Sequence, residues 1–313
     1  MSTTAEPRWI VYQRERFPIL AHGALIAAFS SGAVCYSAQL RAARDGTAFS
    51  VRGSSLLVAF VSCLLFFFEL RVSDEHKDFD DDLRWRPYRP VPRGLVTLRE
   101  LLLVALAGAM VQLALALWLE PRLVTPLLLV WGFMALMTRE FGVRDWLRRH
   151  PITLLWSHML ILPLIDLYAT ACDWMPSGAG RLVGQGLAWF LVASFFNGIV
   201  VELGRKIRAP ADEEQGVETY SALWGVRRAT LAWLGAMACT LLFATLAARE
   251  VGAAWIVAGL LGAIGIGAAL TAHRLTTAPV PGAGKRAERL SGLWTIAMYL
   301  GVGVLPLVVR RWS

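Results

Sequence analysis

Residues 54–94 read SSLLVAFVSCLLFFFELRVSDEHKDFDDDLRWRPYRPVPRG. An apolar run of membrane length leads without a break into the densest acidic cluster of the chain. Seven of the 23 acidic residues (Glu69, Asp74, Glu75, Asp78, Asp80, Asp81 and Asp82) fall within fourteen positions. Carboxylates this crowded repel one another unless something positive lies between them. If the segment is helical, Asp74, Asp78 and Asp82 stand at i, i+4 and i+8 on one face, flanked by Glu75 and Asp81, with Asp80 turned away. An oxygen-only ligand set suits a hard ion such as Mg2+, which commonly bridges to substrate phosphates.

The apolar run has counterparts along the whole chain. Of 313 residues, 56% are hydrophobic and only 17% charged, a balance far more apolar than a soluble domain needs. Nine runs approach the roughly 20 residues that span a bilayer, near 17–40, 54–72, 99–119, 123–142, 152–172, 181–204, 227–248, 252–272 and 289–309. They predict an all-α integral membrane protein, a bundle of about nine transmembrane helices forming a single polytopic domain over residues 1–313. The segment from Met1 to Arg16 is polar and the first apolar run is long, so no cleavable signal peptide is expected. Small residues such as Gly23, Ser30, Ser31 and Gly32 in the first run, and Gly235, Gly259, Gly262, Gly265 and Gly267 in the later ones, suit close helix packing in lipid.

Lys and Arg placement orients the bundle. Loops on one side carry 22 of them and loops on the other carry 8, among the latter Arg181, Arg310 and Arg311. The positive-inside rule then puts the amino terminus and the acidic stretch in the cytoplasm and the carboxyl terminus outside. The expected location is the cell (inner) membrane, multi-pass. The net charge of +8 is met by these basic loops and by anionic membrane lipids. There is no soluble basic domain or aromatic-basic recognition module, which excludes nucleic acid as a partner. Cys35, Cys63, Cys172 and Cys239 are scattered singly, without disulfide or metal spacing, and read as small apolar fillers.

Beyond Asp82 the chain turns basic and rigid, with Arg84, Arg86, Pro87, Arg89, Pro90, Pro92 and Arg93. Three prolines in six residues end any helix. Carboxylates can hold an ion while Arg forks take the phosphate oxygens it leaves free. Arg89, between Pro87 and Pro90, is the foremost of these.

The order Asp74-x-x-x-Asp78-x-x-x-Asp82, followed by Pro87-Tyr88-Arg89-Pro90-Val91-Pro92-x-Gly94, resembles the first Asp-rich motif of the UbiA superfamily of intramembrane prenyltransferases. There the motif reads Asn-Asp-x-x-Asp-x-x-x-Asp and leads into Arg-Pro-(Ile/Leu)-Pro-Ser-Gly. Asp74 stands where the family usually has Asn, Glu75 where it has Asp, and Arg93 where it often has Ser. The resemblance implies a nine-helix bundle around a central cavity with cytoplasmic cap loops. Mg2+ (or Mn2+) and an isoprenoid diphosphate would bind there, and a lipophilic or aromatic acceptor would be alkylated.

The family has a second Asp-rich motif after its sixth helix, and residues 197–225 stand in that place. Asp212-x-x-x-Gly216-Val217-x-Thr219, with Gly225 beyond, resembles its ending, but Arg208 occupies the position of an expected carboxylate. Two alignments follow. Either Glu202 is a displaced first ligand, or Lys206 and Arg208 contact diphosphate in place of one metal. The expected metal ligands are therefore Asp74, Glu75, Asp78, Asp82, Glu202 and Asp212. The expected substrate contacts near the first motif are Arg71, Lys77 and Arg89. Farther along the chain they are Arg139, Arg144, Lys206 and Arg208.

Inside the membrane, Glu69 and Arg71 are costly unless they face a cavity or each other, and the adjoining acidic face favours the cavity. Asp166 is a functional suspect by the same rule. It lies eight residues after His158, on the same face of one helix, and would act on an acceptor or pair with that His. Asp78, Asp82 and Asp166 form the expected catalytic set. The expected activity is Mg2+-dependent prenyl transfer, with terpene cyclisation or transfer of a phosphoribosyl or other polyprenyl-phosphate group as relatives of it. A membrane cation transporter is the reading from another class.

Overall fold

The structure is a computed structural model that describes residues 6–178 and 184–312, with side chains to 309. Arg181, the first residues of the run expected at 181–204, and the side chains of Arg310 and Arg311 lie outside the described residues. Every regular element among the described residues is a helix. A short α1 (Arg8–Arg16) lies ahead of α2 (Ile19–Asp45), which Pro18 precedes and Gly46 closes in a left-handed cap. Then come α3 (Gly53–Lys77), α4 (Phe79–Trp85) and α5 (Leu98–Leu119), the last opened by a Thr97–Glu100 capping box that satisfies two amide donors reciprocally. They are followed by α6 (Val124–Thr138), α7 (Arg144–Arg149), α8 (Pro151–Met159) and α9 (Ile161–Trp174). The remainder comprises α10 (Gln185–Arg205), α11 (Tyr220–Trp224), α12 (Val226–Arg249), α13 (Ala254–Thr277), α14 (Gly284–Gly303) and α15 (Leu305–Trp312).

The long helices close a ring. Taking α8 and α9 as one crossing, α2, α3, α5, α6, α9, α10, α12, α13 and α14 each pack on the next, and α14 returns to α2. Among the described residues, eight crossings are long and apolar enough to span a membrane. α14 completes the ring as the ninth. It misses that standard because Lys285, Arg286, Glu288 and Arg289 occupy its first turns. The single run expected at 289–309 is divided at Val304, two residues before Pro306, into α14 and α15. The run expected at 152–172 is divided too. Pro163 lacks an amide hydrogen and crowds the carbonyl four residues earlier, at Met159, and the helix breaks at Leu160.

The interior is aromatic. Phe29, Phe66, Tyr168, Phe190 and Tyr299 are buried and meet edge-on or tilted. Gly32 admits Tyr299 at close range, so α2 and α14 pack tightly there. The small residues of the later helices behave otherwise. Nothing lies within 4 Å of a side-chain position at Gly235, Gly259 or Gly262, which face outward on α12 and α13. The cysteines are free, with Cys35, Cys63 and Cys172 buried among this core.

Candidate functional site

At one end of the ring, α1, α4, the turn after α6, α7, the loop after α10 and the start of α14 come together. The acidic stretch is the centre of that end. α3 stops at Lys77 and α4 starts at Phe79, with Asp78 between them at φ −97°. The i to i−4 amide bonds still run from Asp78 to Asp74 and from Asp82 to Asp78, at 2.9 and 2.8 Å. The three aspartates therefore keep a common face across the break.

Their surroundings separate them. Asp82 is buried and ion-paired with two guanidiniums, Arg86 at 2.7 Å and Arg89 at 2.6 Å. Glu75 is buried against Arg16 of α1. Asp74 is paired more loosely, with Arg71 at 3.6 Å. The Asp78 carboxylate takes part in none of these pairs. Burial, then the neighbouring Asp74 and Asp82 carboxylates, raise its pKa above the ordinary carboxylate range against the opposing pull of Lys77 and Arg86.

The second motif lies beside the first. Gly216, at φ +75°, sits directly on the Trp85 ring, and a Cβ there would come within 2.3 Å of Trp85 Cγ. Glu202 is bonded by Arg205 at 2.7 Å and Lys206 at 2.9 Å. Arg205 is within electrostatic reach of both Arg71 and Asp74 on α3. Asp212 accepts the Gly282 amide at 2.7 Å, and Arg208 turns to Glu214 and to the Asp212 carbonyl.

The expected set of six ligands is thus not assembled. Among the described residues no three His, Cys, Asp or Glu side chains gather as a metal site. Glu75, Asp82, Glu202 and Asp212 each have a donor of the chain's own, and that is the physical reason they stand apart. Asp74 and Asp78 do fit a divalent ion. Their charges are crowded and undercompensated, and Mg2+ commonly takes one or two carboxylates, completing its shell with water and substrate phosphate.

Other expectations shift. Glu69 faces α5 rather than a cavity, with Gly108 beside its carboxylate and no hydrogen-bond partner for either oxygen among the described residues. His158 and Asp166 do not share a face, because the helix breaks between them. Asp166 is fully buried and accepts from Tyr299 at 2.7 Å, and Ser194 bonds Tyr299 in turn at 3.1 Å. His158 turns to Glu140, 3.4 Å away. Arg139 and Arg144 are exposed.

The residue that spacing missed is Glu140. It is buried, bonded to Lys77 at 2.9 Å, and held by consecutive left-handed backbone at Glu140, Phe141 and Gly142. The only local sequence signal was Gly142, a residue tolerant of positive φ following an acid.

The model of the UbiA prenyltransferase family matches residues 34–291. No curated protein sequence matches the chain. Among solved structures, an apo UbiA homologue from Aeropyrum pernix K1 superposes with a TM-score of 0.64 at 15% identity, covering 93% of this chain and 98% of that one. A digeranylgeranylglyceryl phosphate synthase superposes at 0.59 and 13% identity, covering 95% and 99%. A UbiA homologue from Archaeoglobus fulgidus bound to DMAPP and Mg2+ superposes at 0.57 and 15% identity, covering 94% and 99%.

Proposed function

Because this chain belongs to the UbiA prenyltransferase family, we propose that it moves an isoprenoid group from a prenyl diphosphate to a lipophilic or aromatic acceptor, with Mg2+ at Asp74 and Asp78. Membership makes it an intramembrane prenyltransferase and removes the cation-transporter reading. The observation that carries the finer assignment is Asp78 itself. It is crowded by two carboxylates and has no ion pair among the described residues, whereas Asp74, Glu75 and Asp82 each have one.

Mg2+ bound there supplies neutralisation of the diphosphate leaving group. Asp74 and Asp78 hold it, and Arg71, next to Asp74, is placed to bind the same anion. Lys77 adds positive charge while tied to Glu140. Asp82 is a bracing group rather than a ligand in this reading, since it aligns Arg86 and Arg89 and through them the proline-rich turn. Glu75 does the same for α1 through Arg16. Asp166, with Tyr299 and Ser194, joins α9, α14 and α10 below the site and keeps the surrounding aromatic core in register. That core is dry and apolar, the surrounding a cationic prenyl group needs to escape water. The site opens to the cytoplasm, the amino terminus lies on that side, and one polytopic domain carries the whole activity.

The experiment uses purified protein in detergent with Mg2+ and prenyl diphosphates of several lengths, following diphosphate release. Release by the wild type that is lost in Asp78→Ala supports the assignment. Absence of binding and turnover with every donor would sink it.

A further inference from the structure

The stretch that stands where the family has its second acidic motif closes on itself. Glu202, on the last turn of α10, is bonded by Arg205 and Lys206. Glu213 accepts the hydroxyls of Thr219 and Ser221, Asp212 takes the Gly282 amide, and Glu214 takes Arg208. All four acids between 202 and 214 are therefore occupied by donors from the chain, and with Arg208 standing in place of an expected carboxylate no free pair of carboxylates is left there for a metal ion.

At the end of α10, exposure separates the acid from its two cations. The Glu202 side chain is 11% accessible, whereas Arg205 keeps 43% and Lys206 keeps 38%. One buried carboxylate thus anchors two accessible cations, leaving a positive excess. Glu202 engages Nε and Nη2 of Arg205 and one proton of Lys206. A guanidinium has five N–H donors and an ammonium three, so most of them remain free. Arg205 also lies within electrostatic reach of Asp74 and Arg71 on α3.

We infer that the cytoplasmic end of α10 is a metal-free diphosphate clamp, in which Arg205 and Lys206, anchored by Glu202, take oxygens that would otherwise face a second metal ion. The inference rests on the proposed use of a prenyl diphosphate and deepens it. Asp74 and Asp78 hold a single ion at one pole, and a fork and a point charge hold the other. Glu202 is a positioning residue that fixes both cations, and Arg208, which turns to Glu214 and the Asp212 carbonyl and is not held by Glu202, lies outside the clamp. The clamp has affinity for inorganic diphosphate, the reaction's product, without any metal.

Two measurements on the full chain in detergent test this. Electron paramagnetic resonance titration of Mn2+ with saturating geranyl thiodiphosphate, a slowly reacting donor analogue, gives one Mn2+ per chain, a count that Glu202→Gln leaves unchanged. Calorimetry with inorganic diphosphate in EDTA shows binding that Arg205→Gln and Lys206→Gln each weaken by about tenfold or more, the scale of one charge-assisted hydrogen bond. Arg205→Lys restores most of it, which a mere folding defect would not allow. Two Mn2+ per chain, or unchanged diphosphate affinity in both glutamine variants, overturns the clamp alone. A wild type that binds no geranyl thiodiphosphate in the presence of Mn2+ overturns the proposed function and the clamp with it.

Discussion

Asp74 and Asp82 belong to the same acidic run, yet substitution has opposite consequences at the two positions. Asp82 is 2% exposed and joins Arg86 and Arg89, so its removal leaves two half-buried guanidiniums facing each other. Breaking a buried pair costs about 3–5 kcal/mol. Partial access of solvent to both arginines brings Asp82→Asn to roughly 2 kcal/mol. Asp74→Asn, at an open position, leaves thermal unfolding within about 0.5 kcal/mol of wild type while weakening Mn2+ binding. Thermal melts and Mn2+ titrations of both variants separate bracing from ligation, and equal stability loss in the two would contradict the division. Asp78 differs again. Its pKa is raised by burial and by neighbouring carboxylates, so in the metal-free protein its charged form costs stability at pH values above its ordinary 3.8. That cost begins to shrink as pH falls through the raised folded value and is gone below the ordinary 3.8. Metal-free Asp78→Asn is therefore more stable than wild type at pH 7, and the gap narrows on acidification. A gap that is constant between pH 7 and pH 4 would show that Asp78 is not under this repulsion.

At the scale of elements, two short segments hold the site in place, and both turn on a left-handed glycine. Gly216, at φ +75°, lets the loop after α10 lie on Trp85 of α4. Gly216→Ala meets the backbone penalty of about 1 kcal/mol together with a clash against the indole. In a Trp85→Ala background the steric part vanishes and only the backbone part remains, so a double-mutant cycle of melting temperatures should show strong coupling. No coupling would mean that the two motifs do not touch. Gly142, at φ +74° with open space around it, has only the backbone part. Gly142→Ala should lower stability by about 1 kcal/mol, read by the same melts. These elements also mark what could be read from the chain. The crossings were legible because membrane length is a signal written along one dimension, and the first motif because proline spacing is local. Partner choice was not. Arg16 meets Glu75 across 59 positions and Asp212 meets Gly282 across 70, and no spacing rule connects such residues. The break at Leu160 was hidden because the apolar run continues through Pro163, so periodicity placed His158 and Asp166 on one face.

For the whole molecule, the ring has one end crowded with paired charges and another stitched more simply, where Arg41 and Ser37 both hold Asp173. The crowded end carries the acidic run, Arg205, Lys206 and most of the loop arginines. A prenyl diphosphate is multiply charged, and carrying its headgroup across a bilayer centre would cost many kcal/mol, so the crowded end must face the compartment that supplies the donor. The excess of Lys and Arg on the same side gives an independent reason for it to be cytoplasmic. Single cysteines test this at exposed positions, in a background where half-buried Cys239 is replaced by Ser. Asp80→Cys and Gln215→Cys should react with a membrane-impermeant maleimide in inverted vesicles and resist it in intact cells. Thr47→Cys and Arg122→Cys, at the opposite end, should show the reverse. The reverse pattern at all four positions would place the diphosphate site outside the cytoplasm, and both the charge asymmetry and the route of donor supply would then need another explanation.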